Sequence, residues 1–158
     1  MAFERAAGEA EKMLVPRFAE QPGLVIVDST WGTIQPLSLD PEIETVAELE
    51  VISHLEAGGP LLDTRHEAQH RQATIPGARS IPHEEIVARI GELDAGEATI
   101  LFCNGPQCKA TPQAVGALLG YGYPARSLRY YRGGIHDWMA LGLPIEGSRA
   151  TEPGAGRG

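Results

Sequence analysis

The sequence lacks long apolar runs, and this absence excludes two kinds of protein. No stretch reaches the roughly 18 consecutive apolar residues that predict a membrane-spanning helix. The opening segment MAFERAAGEAEKMLVPRF carries charges at Glu4, Arg5 and Glu9, where a secretory signal would have an apolar core. We therefore expect no signal peptide, no membrane partner and a cytoplasmic location, where thiols stay reduced.

Positive charge and cysteine are also scarce. The chain has 13 Lys and Arg residues against 21 Asp and Glu, a formal net charge of −8. A nucleic-acid-binding domain would need a basic patch, so we expect no nucleic acid partner. Two cysteines among 158 residues, with no histidine at a helpful spacing, are too few for a structural zinc site. Nothing in the sequence requires a cofactor or a metal.

What the sequence does contain is a regular alternation of short apolar segments and helical patterns. The expected strands are 24–27, 60–63, 79–81, 98–102 and 127–131, and the expected helices are 45–57, 67–72, 83–90, 111–119 and 136–141. Residues 1–22 add one loosely amphipathic helix. This alternation is typical of a single α/β domain with a mainly parallel central sheet and helices on both faces.

Two helix starts are predicted from local signals. Thr45 and Glu48 form a capping-box pattern, so Thr45 is the expected N-cap of the first domain helix. In the same way, Thr111 followed by Pro112 predicts an N-cap and a proline at the first helical position.

Both cysteines lie in one short loop, CNGPQCK, between a predicted strand and a predicted helix. In open α/β sheets, ligands bind at the carboxyl ends of the strands. Converging loop N–H groups and the positive end of the next helix would lower the pKa of Cys103 from about 8.5. Gly105 would permit a positive φ, and Pro106 would stiffen the turn. We expect Cys103 to be a nucleophile, and the plain alternative is a buried, inert cysteine.

Three segments, in order and spacing, resemble the rhodanese family of sulfurtransferases. They are Leu62-Asp-Thr-Arg65 with Ile75-Pro-Gly-Ala78, then Ile100-Leu-Phe-Cys103 with its loop, then Tyr131-Arg-Gly-Gly134 with Trp138 and Gly142-Leu-Pro144. The resemblance covers about residues 45–146. It implies a rhodanese-like three-layer α/β fold with a mainly parallel five-stranded sheet flanked by helices. Residues 1–44 are then an extension packed on this domain, and 147–158 a flexible tail.

The resemblance also implies an activity. Cys103 would take a sulfane sulfur from a donor such as thiosulfate, hold it as a persulfide and pass it to a thiophilic acceptor. The expected partners are a small sulfur-donor anion and a cyanide or thiol acceptor, with a protein thiol as a further candidate. Loop N–H groups would stabilise the persulfide. The expected substrate-binding residues are Asn104, Gly105, Pro106, Gln107, Cys108, Lys109 and Arg65.

The loop departs from the family pattern at Cys108, where many members have a basic or hydroxyl residue. Cys108 either resolves a persulfide or sulfenate on Cys103 by forming a disulfide, or is a small loop residue whose amide matters more than its sulfur. Lys109 either attracts an anionic donor or is a solvated surface residue. Arg65 either contacts substrate or ties a strand end to acidic neighbours, and Asp63 is expected to be a structural acceptor for loop amides.

Two other functions remain open on this sequence. A phosphatase or arsenate reductase on the same scaffold would have an arginine six positions after the cysteine. Lys109 occupies that position, and lysine cannot copy the two parallel bonds of a guanidinium. The second alternative is a non-catalytic rhodanese-like module in which Cys103 is a redox sensor. Trp31, outside the matched region, is either a core residue or a pocket lid.

Overall fold

A computed structural model describes residues 17–26 and 33–151 of the chain. Its strands are β1 (Arg17–Phe18), β2 (Val25–Ile26), β3 (Glu44–Thr45), β4 (Leu61–Asp63), β5 (Arg79–Ser80), β6 (Thr99–Phe102) and β7 (Leu128–Tyr131). Its helices are α1 (Glu48–Glu56), α2 (Glu67–Gln72), α3 (Ala110–Tyr121) and α4 (Gly134–Ala140). Trp31 and most of the helix expected within residues 1–22 lie outside the described residues.

The central sheet has five strands in the order β3-β7-β6-β4-β5, and every neighbouring pair is parallel. The expected α/β fold with a five-stranded parallel sheet is therefore confirmed. One strand was assigned wrongly: the fifth strand is Glu44–Thr45, which pairs with β7, and not residues 24–27. Val25–Ile26 instead pairs antiparallel with Arg17–Phe18 in a separate two-stranded sheet. A two-residue edge strand with polar side chains gives almost no alternation signal, so the sequence pattern missed it.

The core forms two layers because successive side chains of each strand point to opposite faces of the sheet. Along β6, Ile100 and Phe102 pack on the face covered by α1 and α4, while Leu101 packs on the face covered by α3. All three are buried. Burial on both faces explains why this strand reads as a continuous apolar run rather than an alternating one.

The helix boundaries correct several expectations. Thr45 is not an N-cap: it lies in β3, and its hydroxyl donates to the backbone O of Leu37. The N-cap of α1 is Ala47, whose N–H donates to Glu50 Oε2 at 3.2 Å. The helix expected at 83–90 is a pair of short 3₁₀ turns, His83–Glu85 and Ile90–Glu92.

Residues 33–44, the second described part of the N-terminal segment, contact the domain. Ile43 is buried, and Leu39 packs beside it against the α3 face of the sheet. Further along, Trp138 is a core residue, and its Nε1–H donates to Pro144 O at 2.7 Å. None of the helices in the described ranges is long and apolar enough to cross a membrane.

Candidate active site

The carboxyl ends of β4 and β6 meet side by side and position the cysteine loop. Asp63 is in register with Phe102, and the Thr64 N–H donates to Phe102 O at 3.0 Å. The residue directly after β6 is Cys103, which begins the loop to α3. The Thr64 hydroxyl also donates to Phe102 O, at 2.9 Å, and lies 2.8 Å from the Thr111 hydroxyl. Because Thr64 has a single hydroxyl hydrogen, Thr111 is the donor in that second bond, which ties the start of α3 to the end of β4.

A buried ion pair supports the loop from the end of β4. The Arg65 guanidinium donates to both carboxylate oxygens of Asp63, at 2.9 and 2.7 Å, and to Ala73 O at 2.6 Å. Its third nitrogen donates to Asn104 Oδ1 at 3.3 Å. The Arg65 side chain is 1% exposed. Arg65 therefore holds Asn104 in place within the loop and does not present its charge to solvent.

The environment of Asp63 keeps its carboxylate ionised. Burial alone would raise the pKa of Asp63, but hydrogen bonds from Arg65 and His70 outweigh burial and lower it to about 2. The Thr74 hydroxyl and the Arg65 backbone N–H also donate to this carboxylate, at 3.0 and 3.1 Å. Asp63 thus accepts from one amide of its own turn rather than from the amides of the cysteine loop.

The N-terminus of α4 holds the same loop from a second direction. The N–H of Ile135 donates to Cys103 O at 3.0 Å, and the N–H of His136 donates to Asn104 O at 2.9 Å. This approach needs glycine at Gly134, which has a φ of 64°. A Cβ there would collide with the backbone O of Cys103 and lie 2.7 Å from the carbonyl carbon of Asn104. The Gly133-Gly134 pair noted in the sequence is therefore part of the loop's support.

Gly105 has a different role from the one expected. Its φ is not positive, but a Cβ on it would lie 3.3 Å from Gly133 O and 3.4 Å from His136 Nδ1. Gly105 O accepts the N–H of Cys108 at 3.0 Å, which closes the turn of the loop. A side chain at this position would be tightly packed against α4, and the backbone of Gly105 is not left-handed.

The Cys103 side chain does not have the environment that the sequence predicted. It is 2% exposed, and its Sγ accepts one backbone N–H, that of Thr111 at 3.5 Å. Its thiol also lies 3.5 Å from the backbone O of Cys108. Burial, followed by the neighbouring Cys108, raises the pKa of Cys103, and Thr111 offsets this only in part. The expectation of a lowered pKa at Cys103 is therefore wrong.

The stabilised thiolate of the loop lies at Cys108 instead. A side-chain hydrogen bond from Cys103, together with the backbone N–H groups of Asn104 and Ala110, lowers the pKa of Cys108 to about 6 despite partial burial. The positive charge of Arg65 contributes in the same direction. Since the two thiols interact directly, the first proton lost belongs to the pair, which carries one negative charge at neutral pH.

The start of α3 explains how the amides reach both sulfurs. The helix begins at Ala110 with Lys109 as its N-cap, so Thr111 and Pro112 are its second and third residues and not its cap. N–H groups in a first helical turn have no partner within the helix. Here the N–H of Ala110 serves Cys108 and that of Thr111 serves Cys103, while Pro112 has no N–H to satisfy.

The other expected loop residues take simpler positions. Lys109 is exposed, and its backbone O accepts the N–H of Gln113 at 2.9 Å. Gln107 is partly buried. Pro106 O accepts the N–H of Gln35 at 2.7 Å, so the N-terminal segment lies against the loop. The Arg132 guanidinium donates twice to Gln35 O, at 3.1 and 2.7 Å, and fixes that contact.

Sequence reasoning missed several residues of the site. Thr64 and the Gln35 contact gave no signal, because both act through hydrogen bonds between segments distant in sequence. Thr111 did give a signal, a threonine beside proline at a helix start, but this pattern fits both a cap and a first-turn residue. Within the described ranges, no group of three or more His, Cys, Asp or Glu side chains is placed to hold a metal ion.

Comparison with known proteins links this geometry to one family. The family model for the Rhodanese-like domain matches residues 48–141. Among curated proteins, the chain is similar to the HTH-type transcriptional regulator Rv0324 of Mycobacterium tuberculosis, with 29% identity over 104 residues. The aligned region is 65% of this chain and 45% of that protein, so the chain spans less than half the length of this relative.

Solved structures agree with the family match. The fold is similar to the solution structure of the Rhodanese-like domain from the Anabaena sp. Alr3790 protein, with a TM-score of 0.58, 28% identity and coverage of 72% of this chain and 86% of that chain. It is also similar to the crystal structure of thiosulfate sulfurtransferase from Pseudomonas aeruginosa, with a TM-score of 0.56 and 28% identity. That match covers 66% of this chain and 20% of the other.

Proposed function

The chain belongs to the rhodanese-like domain family, and on this premise we propose that it is a sulfurtransferase that carries a sulfane sulfur on Cys103. The donor is a small anion such as thiosulfate, and the acceptor is cyanide or a thiol, including a protein thiol. The similarity to a protein named thiosulfate sulfurtransferase supports this class of activity. The position of Cys103 at the end of β6, beside a second sulfur, supports the assignment of the carrier.

The cysteine pair supplies the nucleophile. The Cys103 thiol passes its proton to the Cys108 thiolate, and the freed Cys103 thiolate attacks the outer sulfur of thiosulfate. The sulfur–sulfur bond of the donor breaks, and sulfite leaves with the bonding electron pair. Cys103 then carries a persulfide anion. The buried, high-pKa thiol of Cys103 reacts because its proton acceptor is in direct contact with it.

The second half of the reaction returns the pair to its starting state. Cyanide or an acceptor thiolate attacks the outer persulfide sulfur, and the electron pair of the broken bond returns to Cys103. The proton held on Cys108 moves back to Cys103. The Thr111 N–H remains beside Cys103 Sγ throughout and stabilises the negative charge each time it forms there.

One observation carries this proposal: two interacting sulfurs at the end of a central strand, each beside an N–H of the first turn of α3. The test is the formation of thiocyanate from thiosulfate and cyanide by the wild type and by Cys103→Ser. We expect the substitution to lower the rate at least about 1,000-fold, since it removes the covalent carrier. Equal rates in the two proteins, with circular dichroism showing both folded, would contradict the proposal.

A further inference from the structure

The two cysteines of the loop lie beside each other, although a single-carrier reaction needs only one sulfur. Their side chains interact directly, and the thiol of Cys103 also lies 3.5 Å from the backbone O of Cys108. The turn that brings them together is closed by the bond from the Cys108 N–H to Gly105 O. Both cysteines are free. The loop therefore holds a dithiol, and one of its two sulfurs, Cys103 Sγ, is the atom that would carry the transferred sulfur.

We infer that Cys108 is a resolving nucleophile that expels the transferred sulfur as hydrosulfide and leaves a Cys103–Cys108 disulfide. This inference rests on the proposed function, because it acts on the Cys103 persulfide. The Cys108 thiol, which holds the proton taken from Cys103 during loading, gives that proton to the outer sulfur and attacks Cys103 Sγ as a thiolate, and the bond between Cys103 Sγ and the outer sulfur breaks. The outer sulfur leaves as hydrosulfide after taking up one proton. Electrons balance within the step, because the outer sulfur is reduced to hydrosulfide while the Cys108 sulfur is oxidised to the disulfide level and Cys103 Sγ keeps its oxidation level.

Geometry selects the inner sulfur as the point of attack. In the unloaded site Cys103 Sγ lies 3.5 Å from the backbone O of Cys108 and interacts with the Cys108 side chain, and this atom becomes the inner sulfur of the persulfide. Attack on the outer sulfur would only move the persulfide from one cysteine to the other. The outer sulfur must also extend beyond Cys103 Sγ, whose surroundings are already occupied by Thr111 N and Cys108 O. The contact already present therefore favours disulfide formation over relay.

The consequence is a second fate for the sulfur and a need for a reductant. After resolution the site is oxidised, and a dithiol reductant must reduce the disulfide before another turnover. Disulfide exchange with such a reductant gives back both thiols and leaves the reductant as a disulfide. When acceptor is scarce, the protein would convert sulfane sulfur and a dithiol into hydrosulfide. When acceptor is plentiful, ordinary transfer competes with resolution.

The experiment follows the loaded protein after the donor is removed. Full-length wild type and Cys108→Ala are reduced, loaded with thiosulfate or, separately, with sodium tetrasulfide, desalted and followed by intact mass spectrometry and sulfide release. The persulfide is about 32 Da heavier than the reduced protein, and the disulfide about 2 Da lighter. We expect wild type to release about one sulfide per loaded chain and become the disulfide. We expect Cys108→Ala to keep the added sulfur at least about 10-fold longer.

Controls separate this inference from the proposed function. Loading by tetrasulfide but not by thiosulfate would contradict the donor assignment and still test resolution, because only decay after loading is compared. Cys108→Ser provides a second variant that retains a polar side chain at this position. A wild type that keeps its added sulfur as long as Cys108→Ala does, or that loses it without forming the disulfide, would overturn the inference.

Discussion

Two side-chain pairs stand at the ends of neighbouring strands, and they are built in opposite ways. The Asp63–Arg65 pair follows β4, and its charges are held by four further protein groups, from Ala73, His70, Thr74 and Asn104. The Cys103–Cys108 pair follows β6 and has three N–H groups and one shared proton. Both pairs are largely removed from water. The charges of the Asp63–Arg65 pair are fixed by hydrogen bonds. The negative charge of the Cys103–Cys108 pair is available for reaction.

This difference indicates that the ion pair contributes mainly to stability and the cysteine pair mainly to activity. A buried charge without its partner is expensive, so removing one member of the ion pair should destabilise the fold. A thiol is only weakly polar, so removing one member of the cysteine pair should cost little stability and much activity. The two pairs touch through Asn104, whose side chain accepts from Arg65 while its backbone N–H serves Cys108.

The largest expected effect breaks the ion pair. Asp63→Asn keeps the shape of the side chain but leaves the Arg65 guanidinium buried without a counter-ion, so we expect the free energy of unfolding to fall by about 3–5 kcal/mol. Urea denaturation at neutral pH measures this. Glu92→Gln, which removes a surface partner of Arg79 and Arg89, is the matched control and should have no measurable effect. A similarly small effect for Asp63→Asn would contradict the comparison.

The next largest effect is expected at Gly134, which allows α4 to approach the cysteine loop. Gly134→Ala forces a side chain into a positive-φ position and against the backbone of Cys103 and Asn104, so we expect a loss of at least about 2 kcal/mol in unfolding free energy. We also expect slower sulfur transfer. Gly116→Ala is the control, because a Cβ there meets no atom within 4 Å in α3. That variant should gain up to about 1 kcal/mol, and equal behaviour of the two variants would refute the role of Gly134.

A pH series distinguishes the two pairs without mutation. The folded-state pKa of Asp63, about 2, lies below the ordinary value of 3.8, so its contribution is complete above that value and disappears as the pH falls towards 2. We expect about 2 kcal/mol of stability to be lost over that range. Alkylation of Cys108 by iodoacetamide should instead fall as the pH drops through about 6. A midpoint near 9, the ordinary value for a thiol, would contradict the amide contacts of Cys108.

The smallest effect concerns the contact with the N-terminal segment. Arg132→Ala removes two hydrogen bonds to Gln35 O, so we expect a loss of about 1 kcal/mol and faster proteolysis within residues 33–41. Arg129→Ala is the control, because its nearest ion pair, with Glu44, is long and exposed. If protease cut both variants at the same rate, the segment would not be held by Arg132.

Much of this structure follows from sequence patterns that are strong over several residues. Apolar runs placed β4, β6 and β7, and the three family-like segments placed Cys103 at a strand end. The resemblance to the rhodanese family is confirmed by the match over residues 48–141. Weak or short patterns failed: β3 has two exposed residues, and the 3₁₀ turn His83–Glu85 begins like a helix but does not continue as one.

The electrostatics of the site could not be predicted from the loop sequence. Which backbone N–H donates to Cys103 and which to Cys108 depends on where α3 begins. Moving the first helical residue from Thr111 to Ala110 changes which N–H reaches which sulfur. The backbone O of Cys103 is held by the N–H of Ile135 in α4, which is about 30 residues away in sequence. These are long-range contacts, and local patterns contain no information about them.

The measurement that tests the account most directly is the mass of the two single-cysteine proteins after exposure to thiosulfate. Cys108→Ser and Cys103→Ser are reduced, incubated with excess thiosulfate at alkaline pH for long enough to compensate for slower deprotonation, and desalted. We predict a protein heavier by about 32 Da for Cys108→Ser and an unchanged mass for Cys103→Ser. The reverse pattern, with sulfur only on Cys108, would show that the low-pKa thiolate is the carrier and contradict the account.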